Sequence, residues 1–305
     1  MCAGNDVLSL EEWLRQHSPK ALLLDACGVF LECSDGTPLP GAQQTMAALK
    51  QRGMMIGVLS NASTVAERQL VKIAKYGWQR GTHFDFYLTS GDITRAYLQQ
   101  TGGDLRGKQY LELGPVHPRY GAIHRAIFDD LGMFATQEAA EAHFVVAHIP
   151  HEAGHDITDL GRLEQLYAHE ITAAIESGLS LLSINPDVWV IEGSESGKVA
   201  RQGALAALYR ERGGSVISLG KPAPLAFRYA LQEFARYGIE DSRGIWMVGD
   251  NPATDIRGAR AVGLSTALVV ATGVWAGDQG FLADEELPTV FLDRLADARF
   301  CTEYA

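Results

Sequence analysis

The stretch "ALLLDACGVF", residues 21–30, reads as a strand that ends in a carboxylate and turns on a glycine. Its unbroken apolar run, "ALLL", suits a strand covered on both faces. Downstream, "GAQQTMAALKQRG" (41–53) has helical spacing, "MMIGVLSNAS" (54–63) is again strand-like, and "TVAERQLVKIAKYG" (64–77) is helical. That βαβα order predicts a parallel sheet covered by helices. The end of the chain repeats the scheme through "GGSVISLG" (213–220), "KPAPLAFRYALQEFARYG" (221–238), "GIWMVGDN" (244–251), "PATDIRGARAVG" (252–263) and "STALVVATG" (265–273).

The middle also reads as α/β. Strand-like "KQYLELG", "AHFVVAHI" and "LSLLSINPD" alternate with helical "RYGAIHRAIFDDLG" and "RLEQLYAHEITAAIESG". Because the two flanks need each other to complete one sheet, the expected organisation is a doubly wound, Rossmann-like core from residues 1–95 and 190–305. An inserted α/β domain would span 96–189.

Among 305 residues, 47% are hydrophobic and 21% charged, as in ordinary globular proteins. A net charge of −11 argues against nucleic acid or an anionic membrane as partner. No apolar run reaches the roughly 18 residues of a membrane helix. The opening segment carries acids and lacks a long apolar core, so a capped helix is expected there instead of a secretory signal, with Ser9 and Glu12 as a capping box. Four cysteines without a CxxC pair suggest free thiols in a reducing cytoplasm.

Four polar residues stand where apolar runs stop: Asp25, Ser60, Lys221 and Asp250. In an open parallel sheet the carboxyl ends of strands line one edge, where ligands bind, so residues distant in sequence converge. Two carboxylates side by side are costly without a cation between them, and hard oxygen ligands suit Mg²⁺. Ser60 offers a hydroxyl to a phosphate oxygen. Lys221, with Pro222 expected to open a helix, would offset the negative charge. A carboxylate nucleophile that forms an aspartyl-phosphate fits this set.

These segments together resemble the haloacid dehalogenase superfamily, subclass IIA, whose members include predicted sugar phosphatases and nitrophenyl phosphatases. The resemblance rests on "LLDACGVF", "VLSNAS", "GKPAP", "MVGDNPATDIRGARAVGLSTALVVATGV" and the cap-end signature "INPD" (184–187). It implies that Asp25 is nucleophile and Mg²⁺ ligand, with the Cys27 main-chain carbonyl and the Asp250 side chain as further ligands. Ser60 and Asn61 would bind the phosphoryl group. Lys221 would hold nucleophile and phosphate together, and Asp255 would support the metal's waters or orient Lys221. The insertion would be a cap selecting a small phosphorylated substrate. Pairing into a homodimer is common among capped relatives.

One position departs from the pattern. Such phosphatases carry an acid two residues after the nucleophile, where this chain has Cys27. A thiol is a weak acid and no substitute for a carboxylate base, and losing a general acid/base costs about 10²–10⁴-fold. The alternatives are a phosphatase with a good leaving group or a cap-borne acid, a slow enzyme, or a binding protein that keeps the pocket. Dehalogenases lack the second acid too, but the long insertion and "GDNPATD" argue against that chemistry.

Two further motifs read differently from their spelling. "HEAGH" (151–155) matches a zinc-protease pattern but follows a strand and contains a glycine, so a loop is expected. His148, His151 and His155 could contact substrate or supply the missing proton. "GSESGKV" (193–199) is one residue short of a phosphate-binding loop, and Ser194 is expected to cap a helix.

Overall fold

A computed structural model describes residues 7–32, 36–191, 197–277 and 282–296. It contains two compact units. One comprises the described residues up to Ser60, Glu67–Leu88 and those from Lys221 onward; the other comprises Asn61–Ala66 and Thr89–Gly220.

The first unit is built on a sheet with strand order Val7–Leu8, Val290–Leu292, Ser265–Val269, Ile245–Gly249, Ala21–Leu24, Met55–Ser60, Phe86–Thr89. The pairings among the first six are parallel. Ala21–Leu24 and Ile245–Gly249 are buried throughout, which explains why neither shows alternation: helices or loops cover both faces. These two strands come from opposite ends of the chain and lie side by side, with Leu24 opposite Val248. The Asp25 N–H donates to Val248 O at 2.9 Å, so the next residue on each strand, Asp25 and Asp250, leaves the sheet at one edge.

The N-terminal helix, Leu10–His17, starts as expected: the Ser9 hydroxyl and the Glu12 carboxylate cap each other's backbone. Trp13 is fully buried on its inner face and meets Trp246 edge-on at 5.4 Å.

The second unit has its own parallel sheet, in the order Val216–Ser218, Leu181–Ser183, Ala142–Ala147, Gln109–Leu113, Phe134–Thr136. Helices Leu160–Glu176 and Gln202–Glu211 place Leu163, Tyr167, Ile171, Leu205 and Tyr209 against it. This unit is longer than the expected 96–189. Val216–Ser218 pairs with Leu181–Ser183, so "GGSVISLG" belongs to this sheet and not to the first. A three-residue apolar strand carries no mark of which sheet it will join.

Other local expectations shift as well. The helix after Lys221 spans Pro224–Arg236, so Pro224, not Pro222, takes the first turn. Lys198–Ala200 is a strand paired with Trp189–Ile191, and the helix that follows begins only at Gln202. Ser194 lies outside the described residues. "HEAGH" forms a tight hairpin: His151–Glu152 pairs antiparallel with His155–Asp156 around Ala153 and Gly154, both at positive φ. The helical turn that would align His151 and His155 is absent there. Glu152 is instead ion-paired to Arg162. No described helix is long and apolar enough to cross a membrane.

Candidate active site

Asp25 follows the central strand Ala21–Leu24, and Asp250 follows its neighbour Ile245–Gly249. Asp255 sits in the π-helical turn Pro252–Ile256, which Asn251, the residue after Asp250, caps. The three carboxylates have oxygens within 4.8 Å of one another. Lys221 Nζ reaches Asp25 Oδ1 at 2.6 Å and Asp255 Oδ1 at 2.7 Å. Asp255 Oδ2 accepts from the Asn251 N–H at 3.1 Å.

Burial pulls the Lys221 ammonium down, but the Asp25 and Asp255 carboxylates outweigh it and hold the lysine well above its ordinary value. Burial, then the negative charge of Asp25 and Asp255, pushes Asp250 well above the usual carboxylate range. Asp255 is pushed up mainly by burial, against the pull of Lys221. Three carboxylates thus face one ammonium. A divalent cation among them would relieve the surplus negative charge, and the all-oxygen donor set suits Mg²⁺.

Backbone fixes Asp250 from two sides. The Val274 N–H donates to Oδ2 at 2.6 Å, and the Trp275 N–H donates to the Asp250 carbonyl at 3.1 Å. A Cβ on Gly273 would lie 2.0 Å from Oδ2, and one on Gly28 would lie 2.5 Å from it. Both glycines also have positive φ. Thr272 Oγ1 donates to the Gly28 carbonyl at 2.6 Å, tying the two loops together. Sequence reading missed this clamp, although "CGV" and "TGV" carry its glycines.

The other expected residues fall as follows. Ser60 ends the strand Met55–Ser60, which pairs with Ala21–Leu24, so it leaves the same sheet next to Asp25's strand. Asn61 belongs to the second unit, where its side-chain amide donates to Asp187 Oδ1 at 2.8 Å and accepts from Ser90 Oγ at 3.3 Å. That pairing gives "INPD" a structural partner. Lys221 does not end a strand of the first sheet; it is the first residue after the second unit. His148 is buried beside Glu112 within the second unit. His151 is also enclosed there, with its N–H donating to Tyr167 Oη at 3.1 Å, whereas His155 is exposed.

Cys27 corrects the free-thiol expectation: it is disulfide-bonded. The chain's other cysteines, Cys2, Cys33 and Cys301, lie outside the described residues. A disulfide sulfur carries no proton, so in this state Cys27 is neither a general acid nor a base.

Comparison with known proteins gives two family matches: residues 22–115 match the haloacid dehalogenase-like hydrolase family and residues 218–298 the HAD-hydrolase-like family. A dihydroxyacetone phosphatase from Corynebacterium glutamicum (strain R) is 30% identical over 168 residues, or 50% of this chain. The match spans 56% of that relative's length. Among solved structures, a haloacid dehalogenase-like hydrolase from Brucella suis 1330 superposes with a TM-score of 0.73 at 24% identity, covering 94% of this chain and 98% of the other. A glycerol phosphate phosphatase from Mycobacterium tuberculosis, solved in complex with magnesium, gives a TM-score of 0.62 at 24% identity, covering 91% and 76%. At such identities the structural likeness is one of fold.

Proposed function

The chain belongs to the haloacid dehalogenase-like hydrolases, and we propose that it is a Mg²⁺-dependent phosphatase acting on a small phosphorylated metabolite such as a sugar phosphate. The observation that carries this reading is Lys221 held between Asp25 and Asp255, beside the crowded, burial-raised Asp250. Asp25, Asp250 and the Cys27 carbonyl would hold Mg²⁺, which would supply charge neutralisation for an incoming phosphate. Asp25 Oδ attacks phosphorus, the bond to the leaving oxygen breaks, and water later cleaves the aspartyl-phosphate. Lys221 steadies the nucleophile and offsets charge on the phosphoryl oxygens. Asp255 keeps the lysine in place. Ser60 and Asn61 bind the phosphoryl group, and the second unit acts as the cap that selects the substrate.

The test is Asp25→Asn: phosphate release from every substrate in a varied panel should vanish while the circular dichroism spectrum is unchanged. Unaltered turnover would sink the mechanism.

The Cys27 disulfide favours a second reading, a slow or non-hydrolytic binding protein, because the proton donor next to the nucleophile is missing. A Mg²⁺-supplemented turnover assay over the same panel separates the two. Ligand-induced stabilisation without released phosphate would select the binding protein.

A further inference from the structure

Glu112, His124 and His148 come together at the carboxyl edge of the second unit's sheet. Glu112 lies on the strand Gln109–Leu113, opposite Val146 of the neighbouring strand Ala142–Ala147. His148 directly follows that neighbour, and its N–H donates to Leu113 O at 3.0 Å. His124 immediately precedes the short helix Arg125–Asp129. Glu112 Oε1 lies 3.5 Å from His124 Nε2 and 3.3 Å from His148 Nε2. The three ligand atoms all fall within 4.8 Å of one another.

Both imidazoles are enclosed: His124 is 1% exposed and His148 2%. Neither Nε2 makes an aligned hydrogen bond; both converge on the one carboxylate oxygen at ion-pair distance. Arg125 grips Glu112 from the other side, with Nε donating to Oε1 at 2.7 Å and Nη2 to Oε2. A carboxylate has about four acceptor sites, so this grip leaves Oε1 a site for a further partner and fixes its direction. Beside His124 lies a small cavity also lined by Ser63, Ser183, Asn185 and Gln202. Ser183 Oγ and Gln202 Oε1 there are buried without partners.

We propose that the second unit binds a divalent transition-metal ion of the zinc class through Glu112, His124 and His148. Two imidazole nitrogens and one carboxylate oxygen form a ligand set suited to zinc, and a water in the adjoining cavity would supply the fourth position. Arg125 orients the carboxylate from outside. This ion is distinct in chemistry from Mg²⁺, which avoids imidazole-rich sites. The inference does not depend on phosphatase activity.

The test is a Co²⁺ titration of full-length protein stripped with chelator and held in excess Mg²⁺, followed by visible absorption. Wild type and Asp250→Asn should each take up one equivalent with d–d bands that Zn²⁺ abolishes. His124→Leu should lose the bands, and Glu112→Gln, which removes a direct ligand, should bind at least about tenfold more weakly, the lower bound for losing even an outer-shell partner. Absence of bands in wild type, or a Glu112→Gln titration that matches wild type, overturns the proposal. If His124→Leu does not fold, those two measurements decide it.

Discussion

Lys221 Nζ stands 2.6 Å from Asp25 Oδ1, although the two residues enter the first unit from opposite ends of the chain. Lys221 is only 1% exposed and also faces Asp255, so its charge is the local counterweight to three carboxylates. Lys221→Met should therefore do more than slow catalysis. Without divalent ions it should lower unfolding stability by about 3–5 kcal/mol, the usual effect of stripping one partner from a buried ion pair. Urea denaturation checks this, and Mg²⁺ should restore part of the loss. An unchanged midpoint would mean that the carboxylates do not need the lysine.

The glycine clamp predicts a different signature. Gly273→Ala places a Cβ where Asp250 Oδ2 now lies, and it forces a left-handed residue at about 1–2 kcal/mol. Asp250 must shift. The Mg²⁺ concentration for half-maximal activity should rise at least several-fold, whereas Gly53→Ala, at another positive-φ glycine with open space around it, should leave that concentration unchanged. Equal Mg²⁺ dependence in both variants would show that Gly273 does not hold Asp250 in place.

Cys27→Asp places a carboxyl group two residues after Asp25 and removes the disulfide. Turnover of alkyl phosphates should rise, by up to about 10²-fold if proton transfer limits the rate. Aryl phosphates, whose leaving groups need no proton, should respond much less. A uniform response across both classes would show that the missing acid is not the limiting feature.

His83 provides a pH test away from the site. It is buried edge-on against Trp78 at 5.1 Å, and burial lowers its pKa below 6.5, partly offset by the Gln79 carbonyl. As pH falls through about 6.5, the unfolded chain takes up this proton before the folded one, so stability falls with pH. His117, lowered mainly by burial, acts in the same direction. His83→Gln should flatten the loss of stability between about pH 7 and pH 5 without abolishing it. An unchanged slope would mean that His83 is protonated equally in both states.

Much of the first unit was legible in sequence because a strand buried on both faces is written as an apolar run, and the residue that ends it is written too. "ALLL" before Asp25 and "IWMVG" before Asp250 each state where a strand stops. Parallel pairing then brings those stops to one edge, so the convergence of Asp25 and Asp250 could be named without coordinates. Ser9 and Glu12 were legible for a similar reason: a cap is a local contact between residues three apart.

Tertiary structure alone decided the rest. Whether Val216–Ser218 joined the first or the second sheet depended on competing edges, and three apolar residues suit either. The side chain of Asn61 turned to Asp187, far along the chain, because burial requires an amide to find partners wherever the fold provides them. The meeting of Glu112, His124 and His148 left no spacing signature, since each comes from a different turn of the chain. Cys27 looked in sequence like a thiol in an acid's place, and only the folded chain revealed its disulfide. Local patterns fix elements and their ends; which distant side chains meet is set by packing that no short stretch encodes.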